Sequence, residues 1–174
     1  MQTSLFPDTD NMVRKATLSD CGLYRYDLWR SWAVGPHVTF LMFNPSVADG
    51  TEDDPTIGRC IGFARSWGFS GLVVVNLFAF RATEVRDLWK AADPVGPEND
   101  TFICSHAFPG PIVAAWGVKP KAAARVREVY DKLNKMGRTL YAIRETHGGH
   151  PEHPLFLPGH LKAFAWRPAA GRRN

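Results

Sequence analysis

Four short apolar runs constrain this chain more than any other feature: HVTFLMF (His37–Phe43), GLVVVNLFAF (Gly71–Phe80), PIVAAW (Pro111–Trp116) and RTLYAIR (Arg138–Arg144). Each has the length of a strand, and each is apolar at consecutive rather than alternate positions. Consecutive burial requires cover on both faces, which is the pattern of a parallel sheet with helices on either side. The segments between them change period. In DPTIGRCIGFARSWG (Asp54–Gly68), Ile57, Cys60, Ile61, Ala64 and Trp67 recur at three and four residues, which places them on one helix face. Asp54 is suited to the N-cap, Pro55 to the first helical position and Gly68 to the end. KPKAAARVREVYDKLNKMG repeats the pattern with Ala122, Val126, Val129, Leu133 and Met136, and Gly137 closes it. Two shorter helices are expected in TEVRDLWKAA and in GPENDTFICSHAF, the second opened by Pro97. YRYDLWRSW (Tyr24–Trp32) alternates aromatic and charged residues, as an edge strand or hairpin arm does.

Strands that alternate with helices predict βαβ crossovers and an α/β fold: a three-layer α/β/α sandwich around a central, mainly parallel sheet of about four strands. One domain is expected over residues 21–166, preceded by a polar, flexible arm (1–20) and followed by a basic tail (167–174). The 174 residues suffice for a core without metal or disulfide staples. Cys21, Cys60 and Cys104 are odd in number and widely spaced, which fits reduced thiols in a cytoplasmic protein. No apolar run approaches membrane-spanning length, and the first residues lack the pattern of a signal peptide, so no membrane association is expected. The net charge of +4 permits a polyanionic partner without requiring one.

Ligands of such sheets bind outside the carboxyl ends of the strands. Those ends read NPSVAD, NLFAFRAT, WGVKP and ETHGGHPEHPLF, all polar or glycine-rich. Two long stretches, NPSVADGTEDDPTIGRCIGFA and VVNLFAFRATEVRDLWKAADPVGPEND, with their spacing, resemble a bacterial and phage family of unknown function over about Tyr24 to Trp166. The order of the pieces also resembles the uracil-DNA glycosylase superfamily. Asn44-Pro45 follows the first strand, as in the mismatch-specific branch with its Asn-Pro. Asn76 sits in the second, IVAAWG ends the third in a small turn, and His153-Pro154 lies in the final loop. Position 44 carries no acid, and the last strand runs into IRETHGG, where the pattern has another turn.

The resemblance implies cleavage of an N-glycosidic bond in DNA with the target base flipped from the stack, and no cofactor. It casts Asn44 as holder of the attacking water, Asn76 as reader of a base edge and His153 as donor to the leaving base or a phosphate. An amide cannot take a proton, so a carboxylate among Asp49, Asp53 and Asp54 must do so, with Asp49 the choice and Asp54 the better helix cap. Ser46 stands where the uracil-specific branch has a bulky aromatic, which leaves room for a 5-substituted pyrimidine unless Phe69 or Phe156 closes the gap. Arg81 and Lys119 follow strands at the pocket edge and are the phosphate candidates. The basic residues Lys119, Lys121, Arg125, Lys132 and Lys135 are assigned to a solvated helix face first and to a DNA-contacting surface second. His147, His150 and His153 share a three-residue spacing, but glycine and proline forbid a helix there and no metal site is expected. Two other readings stay open: a nucleotide- or nucleoside-processing enzyme, metal-dependent through Asp49, Asp53 and the histidines, and a non-catalytic binder of modified or single-stranded DNA. Asn44 also has a plain reading as a turn residue. A buried Asn76 needs a partner, and a backbone group or a ligand could supply it.

Overall fold

The computed structural model describes residues 12–46, 52–107 and 110–169. Among them, seven strands form one mixed sheet: β1 (Val13–Leu18), β2 (Arg25–Ser31), β3 (His37–Met42), β4 (Gly71–Asn76), β5 (Ile112–Ala114), β6 (Leu140–Ala142) and β7 (Phe164–Ala165). Four α-helices accompany them: α1 (Pro55–Ser66), α2 (Val85–Leu88), α3 (Asn99–His106) and α4 (Ala123–Lys135). The strand order is β1-β2-β4-β3-β5-β6-β7. The central β4, β3, β5 and β6 are mutually parallel and come from the four apolar runs. The expected count of about four strands is too low, because antiparallel strands extend the sheet on both sides. β2 pairs with β4, β1 with β2, and β7 with β6.

The reasons are local. β1 falls within the stretch expected as an arm, and five of its six residues are exposed, so it carries no burial signal. β2 is a hairpin arm as expected, but it is flanked on both sides and is not an edge. Its charged residues Arg25, Asp27 and Arg30 are buried, at 7%, 3% and 0% exposure.

Successive residues of β3 and β4 point to opposite faces, and both faces are covered. On one side Phe40, Met42, Leu72 and Val74 pack beneath Ile57, Cys60, Phe63 and Ala64 of α1. On the other, Leu41, Val73 and Val75 share a core with Leu88, Ile103, Val129 and Leu133 from the remaining helices. Each such side chain contributes roughly 1.5–3 kcal/mol when fully buried, so a strand covered twice is held strongly. The ends of α1 follow the sequence expectation. The Asp54 carboxylate accepts from the Ile57 N–H at 2.8 Å, Pro55 opens the helix, and Gly68 follows it at φ +83°.

α4 departs from its expectation at two positions. Met136 lies just past the helix and is 39% exposed. Arg125, assigned above to a solvated face, is 6% exposed. Its Nε donates to the Leu77 carbonyl at 2.8 Å, and its guanidinium pairs with Asp100 and Glu128. No helix among the described residues is long and apolar enough to cross a membrane.

Candidate functional site

The carboxyl ends of β3 and β4 lie side by side, with Met42 in register with Asn76. The two chains stay laced beyond the ladder. Leu77 N–H donates to Met42 O at 2.9 Å, Phe78 N–H to Phe43 O at 3.0 Å and Ala82 N–H to Pro45 O at 3.0 Å. This lacing fixes the Asn44-Pro45 turn. The Asn44 amide donates from Nδ2 to Ala82 O at 2.8 Å and to Pro45 O at 3.0 Å. Both partners are carbonyls, so the amide orientation is determined and Oδ1 is the end left to accept.

Asn76 is 2% exposed, and its Nδ2 has no hydrogen-bond partner among the described residues. An orphan buried donor of this kind costs roughly 1–3 kcal/mol. Its backbone is well held from the opposite face of the sheet. The fully buried Asn99 donates to Asn76 O at 2.9 Å and to Leu77 O at 3.2 Å, beside the bond from Arg125. The strand end is therefore rigid while the side chain it presents is unsatisfied.

That side chain lines a cleft of about 190 Å³. Met42, Phe43, Val74 and Trp116 supply apolar walls, and Arg25, Asn44, Ser46, Asp54, Lys119 and His153 supply polar ones. The His153 Nδ1 accepts from the Leu155 N–H at 3.3 Å, so in the neutral ring the proton resides on Nε2. Crowding by protein atoms, and then the Lys119 ammonium, push its pKa below the ordinary 6.5, while Asp54 acts weakly the other way. His153 is thus a neutral N–H donor at pH 7, although much of the residue meets solvent. The turn after β5 reaches it through Gly117, at φ +75°, where an added Cβ would sit 3.4 Å from the His153 Cβ. The Lys119 ammonium lies 4.6 Å over the Phe43 ring. Burial, followed by repulsion from Arg81, lowers the Arg25 pKa to about 10, which leaves it charged at neutral pH.

A family model matches residues 25–155. The chain belongs to that family, Protein of unknown function (DUF1643). The DUF1643 match starts at Arg25 and runs past His153, so every cleft residue lies within it, while β1 and β7 lie outside. No curated protein and no solved structure matches the chain.

Of the residues singled out from the sequence, Asn44, Ser46, Asn76, Lys119 and His153 meet in this one cleft of the DUF1643 region. Arg81 is not among its lining residues and donates from Nη1 to the Gly22 carbonyl at 3.0 Å, toward the β1–β2 turn. Asp49 lies outside the described residues. Of the other two carboxylates, Asp53 is held by Arg14 and Arg30, each at 2.6 Å. Asp54 both caps α1 and lines the cleft, with one carboxylate oxygen, Oδ1, committed to the cap. Neither Phe69 nor Phe156 lines the cleft, and Phe156 is 90% exposed. No three His, Cys, Asp or Glu side chains among the described residues come together as a metal site.

Sequence reasoning missed Arg25 and Trp116 as cleft residues. Arg25 was hidden in an alternating stretch that normally turns its charges to solvent. Its only signal was its position at the first residue of β2, level with the strand-end loops.

Proposed function

We propose that this chain is a hydrolase of the DNA glycosylase class, on a three-layer α/β/α frame like that of the uracil-DNA glycosylase superfamily, releasing a pyrimidine base without a cofactor. The observation that carries the reading is Asn76, which lines the cleft while its buried Nδ2 has no hydrogen-bond partner among the described residues. A buried donor left unsatisfied by its own fold is matched by a ligand that brings an acceptor, such as the carbonyl of a base edge. The size agrees. About 190 Å³ is below the ~300–1,000 Å³ of pockets that enclose drug-sized ligands, and suits one flat ring better than a whole nucleotide.

The division of labour follows from the hydrogen-bond inventory. Asn44 Oδ1 accepts from the attacking water and holds it. Asp54 Oδ2, the oxygen that does not serve the cap, takes the proton as the water oxygen bonds to C1′ and the C1′–N bond breaks. The bonding electron pair leaves with the base, and the resulting anion accepts from Asn76 Nδ2–H and His153 Nε2–H. Arg25 and Lys119 add positive potential where that negative charge develops. The protonated Asp54 then returns its proton through solvent to the departed base. Asp54 replaces Asp49 in this scheme because it is the described carboxylate on the cleft wall.

The test is formation of alkali-labile abasic sites in oligonucleotides that carry a single modified pyrimidine. Wild-type protein produces them, and Asn76→Ala and Asp54→Asn each reduce the rate by 10²-fold or more, in line with the usual loss of an oxyanion-type donor or a general base. Equal rates in wild type and both variants would assign any strand breakage to something other than this cleft.

A further inference from the structure

We propose that the groove between α2 and the β5–α4 loop holds the nucleotide next to the one whose base enters the cleft, so that the substrate is a DNA strand and not a free nucleoside. This rests on the glycosylase reading and extends it to the class of substrate.

The groove encloses about 490 Å³, and Phe43, Val85 and Lys119 line both it and the cleft. The two spaces are therefore neighbours, and the groove is the larger. Trp89, Val85, Val118 and Pro120 give it apolar surface, of which Val85 and Val118 are 40% and 51% exposed. Trp89 is fixed edge-on against Phe43 and Phe78, at centroid distances of 6.0 Å and 5.2 Å, so it offers a rigid aromatic surface. Its rim is basic. Arg86, Lys119 and Lys121 line the groove, no carboxylate does so among the described residues, and none of the three forms an ion pair there.

An apolar, partly aromatic floor with uncompensated cations on the rim has one natural complement: a flat base with an anionic phosphate on each side. Bases stack on such platforms with little regard to sequence, while the cations track the backbone. A protein segment would need a run of acids flanking an apolar side chain to match the same surface. Adjacency to the cleft decides for the nucleotide, since a strand whose base turns into the cleft carries its neighbour past the shared residues Phe43 and Val85.

The experiment titrates a fluorescein-labelled single-stranded oligonucleotide containing one 5-hydroxymethylcytosine, across a salt series, with wild type and the double variant Arg86→Gln/Lys121→Gln. Both residues lie outside the cleft, and circular dichroism confirms that the variant is folded. The expected result is affinity about tenfold weaker, a log–log salt slope about 1.4 less steep, and binding of the nucleoside 5-hydroxymethyl-2′-deoxycytidine changed by less than about twofold. Unchanged oligonucleotide affinity and slope overturn the proposal. Base release by a wild type whose affinity ignores Arg86 and Lys121 removes the groove and keeps the hydrolase reading. Groove-dependent binding with no base release removes the hydrolase reading and keeps the groove. An oligonucleotide that does not bind even at low salt overturns both.

Discussion

Asn76 separates stability from function at a single amide. Its buried Nδ2 has no partner among the described residues, so Asn76→Val, which continues the run of valines before it, removes that penalty. We expect stabilisation of the ligand-free protein by about 1 kcal/mol in a urea melt, together with loss of base release. Destabilisation would mean that the amide serves the fold. His153 offers a second test. Crowding and the Lys119 charge hold its pKa below 6.5, so the folded state resists a proton that the unfolded chain accepts. The sign follows: stability is full above pH 6.5 and is lost as pH falls from there to the folded pKa, below which it levels. An NMR titration of the ring should give a midpoint below 6.5, and Lys119→Met should move it back up. A midpoint at or above 6.5 in the wild type would contradict the neutral-donor role. Under the proposed function Ser46 would set breadth, since neither Phe69 nor Phe156 lines the cleft. Ser46→Tyr is expected to suppress release of 5-substituted pyrimidines while sparing uracil, because a packed pocket relaxes poorly around added bulk.

α1 ties the site to the fold through its cap. Asp54→Ala removes both the cap and the carboxylate, and is expected to cost about 1 kcal/mol as well as activity. Asp54→Asn keeps the cap oxygen, so its melt should stay near wild type while base release falls. If both substitutions lose stability equally and activity persists, Asp54 is only a cap. The helix itself was legible, because its 3.6-residue period, N-cap, Pro55 and Gly68 all agree. The central strands were legible for a related reason, as burial on both faces leaves no polar position to blur the run. β1 and β7 were not. One is exposed along nearly its whole length and the other has two residues, so neither leaves a burial pattern. Arg125 misled because charge usually marks the solvent face. Its position one turn before Val129 lies on the border of the apolar stripe, and the carbonyl of Leu77 that receives it is 48 residues away in sequence. The Asp53 ion pairs span 39 and 23 residues, so spacing alone could not assign that carboxylate to structure.

At the scale of the whole molecule, buried polar residues join elements that hydrophobic packing alone would leave free to slide. Asp27 is the clearest case. It accepts from the Thr17 N–H of β1, the Trp29 indole and His106 of α3, at 3.0, 3.0 and 2.9 Å. Burial alone would raise its pKa, but these three donors outweigh burial and hold it below the usual 3.8. Its contribution is therefore complete above that value and is lost only as pH falls through the lower, folded pKa. Asp27→Asn should lower stability at pH 7 by roughly 1–3 kcal/mol and flatten the acid limb of the melting curve, read by circular dichroism across pH. A steep acid limb that survives the substitution would place the acid sensitivity elsewhere. The cleft depends on the same long-range ties, since Asn99 and Arg125 hold the end of β4 from the far face. The site was thus readable as a set of strand ends, while the tethers that aim it were not.

The most direct measurement is mass spectrometry of the free base released from matched oligonucleotides containing uracil, thymine, 5-hydroxymethylcytosine or its glucosylated form. We expect a free base and a matching abasic strand from at least one 5-substituted substrate, faster than from uracil, and abolished by Asn76→Ala. Intact oligonucleotides throughout the panel, single-stranded and duplex, with wild type indistinguishable from Asn76→Ala, would contradict the assignment of this cleft to N-glycosidic hydrolysis.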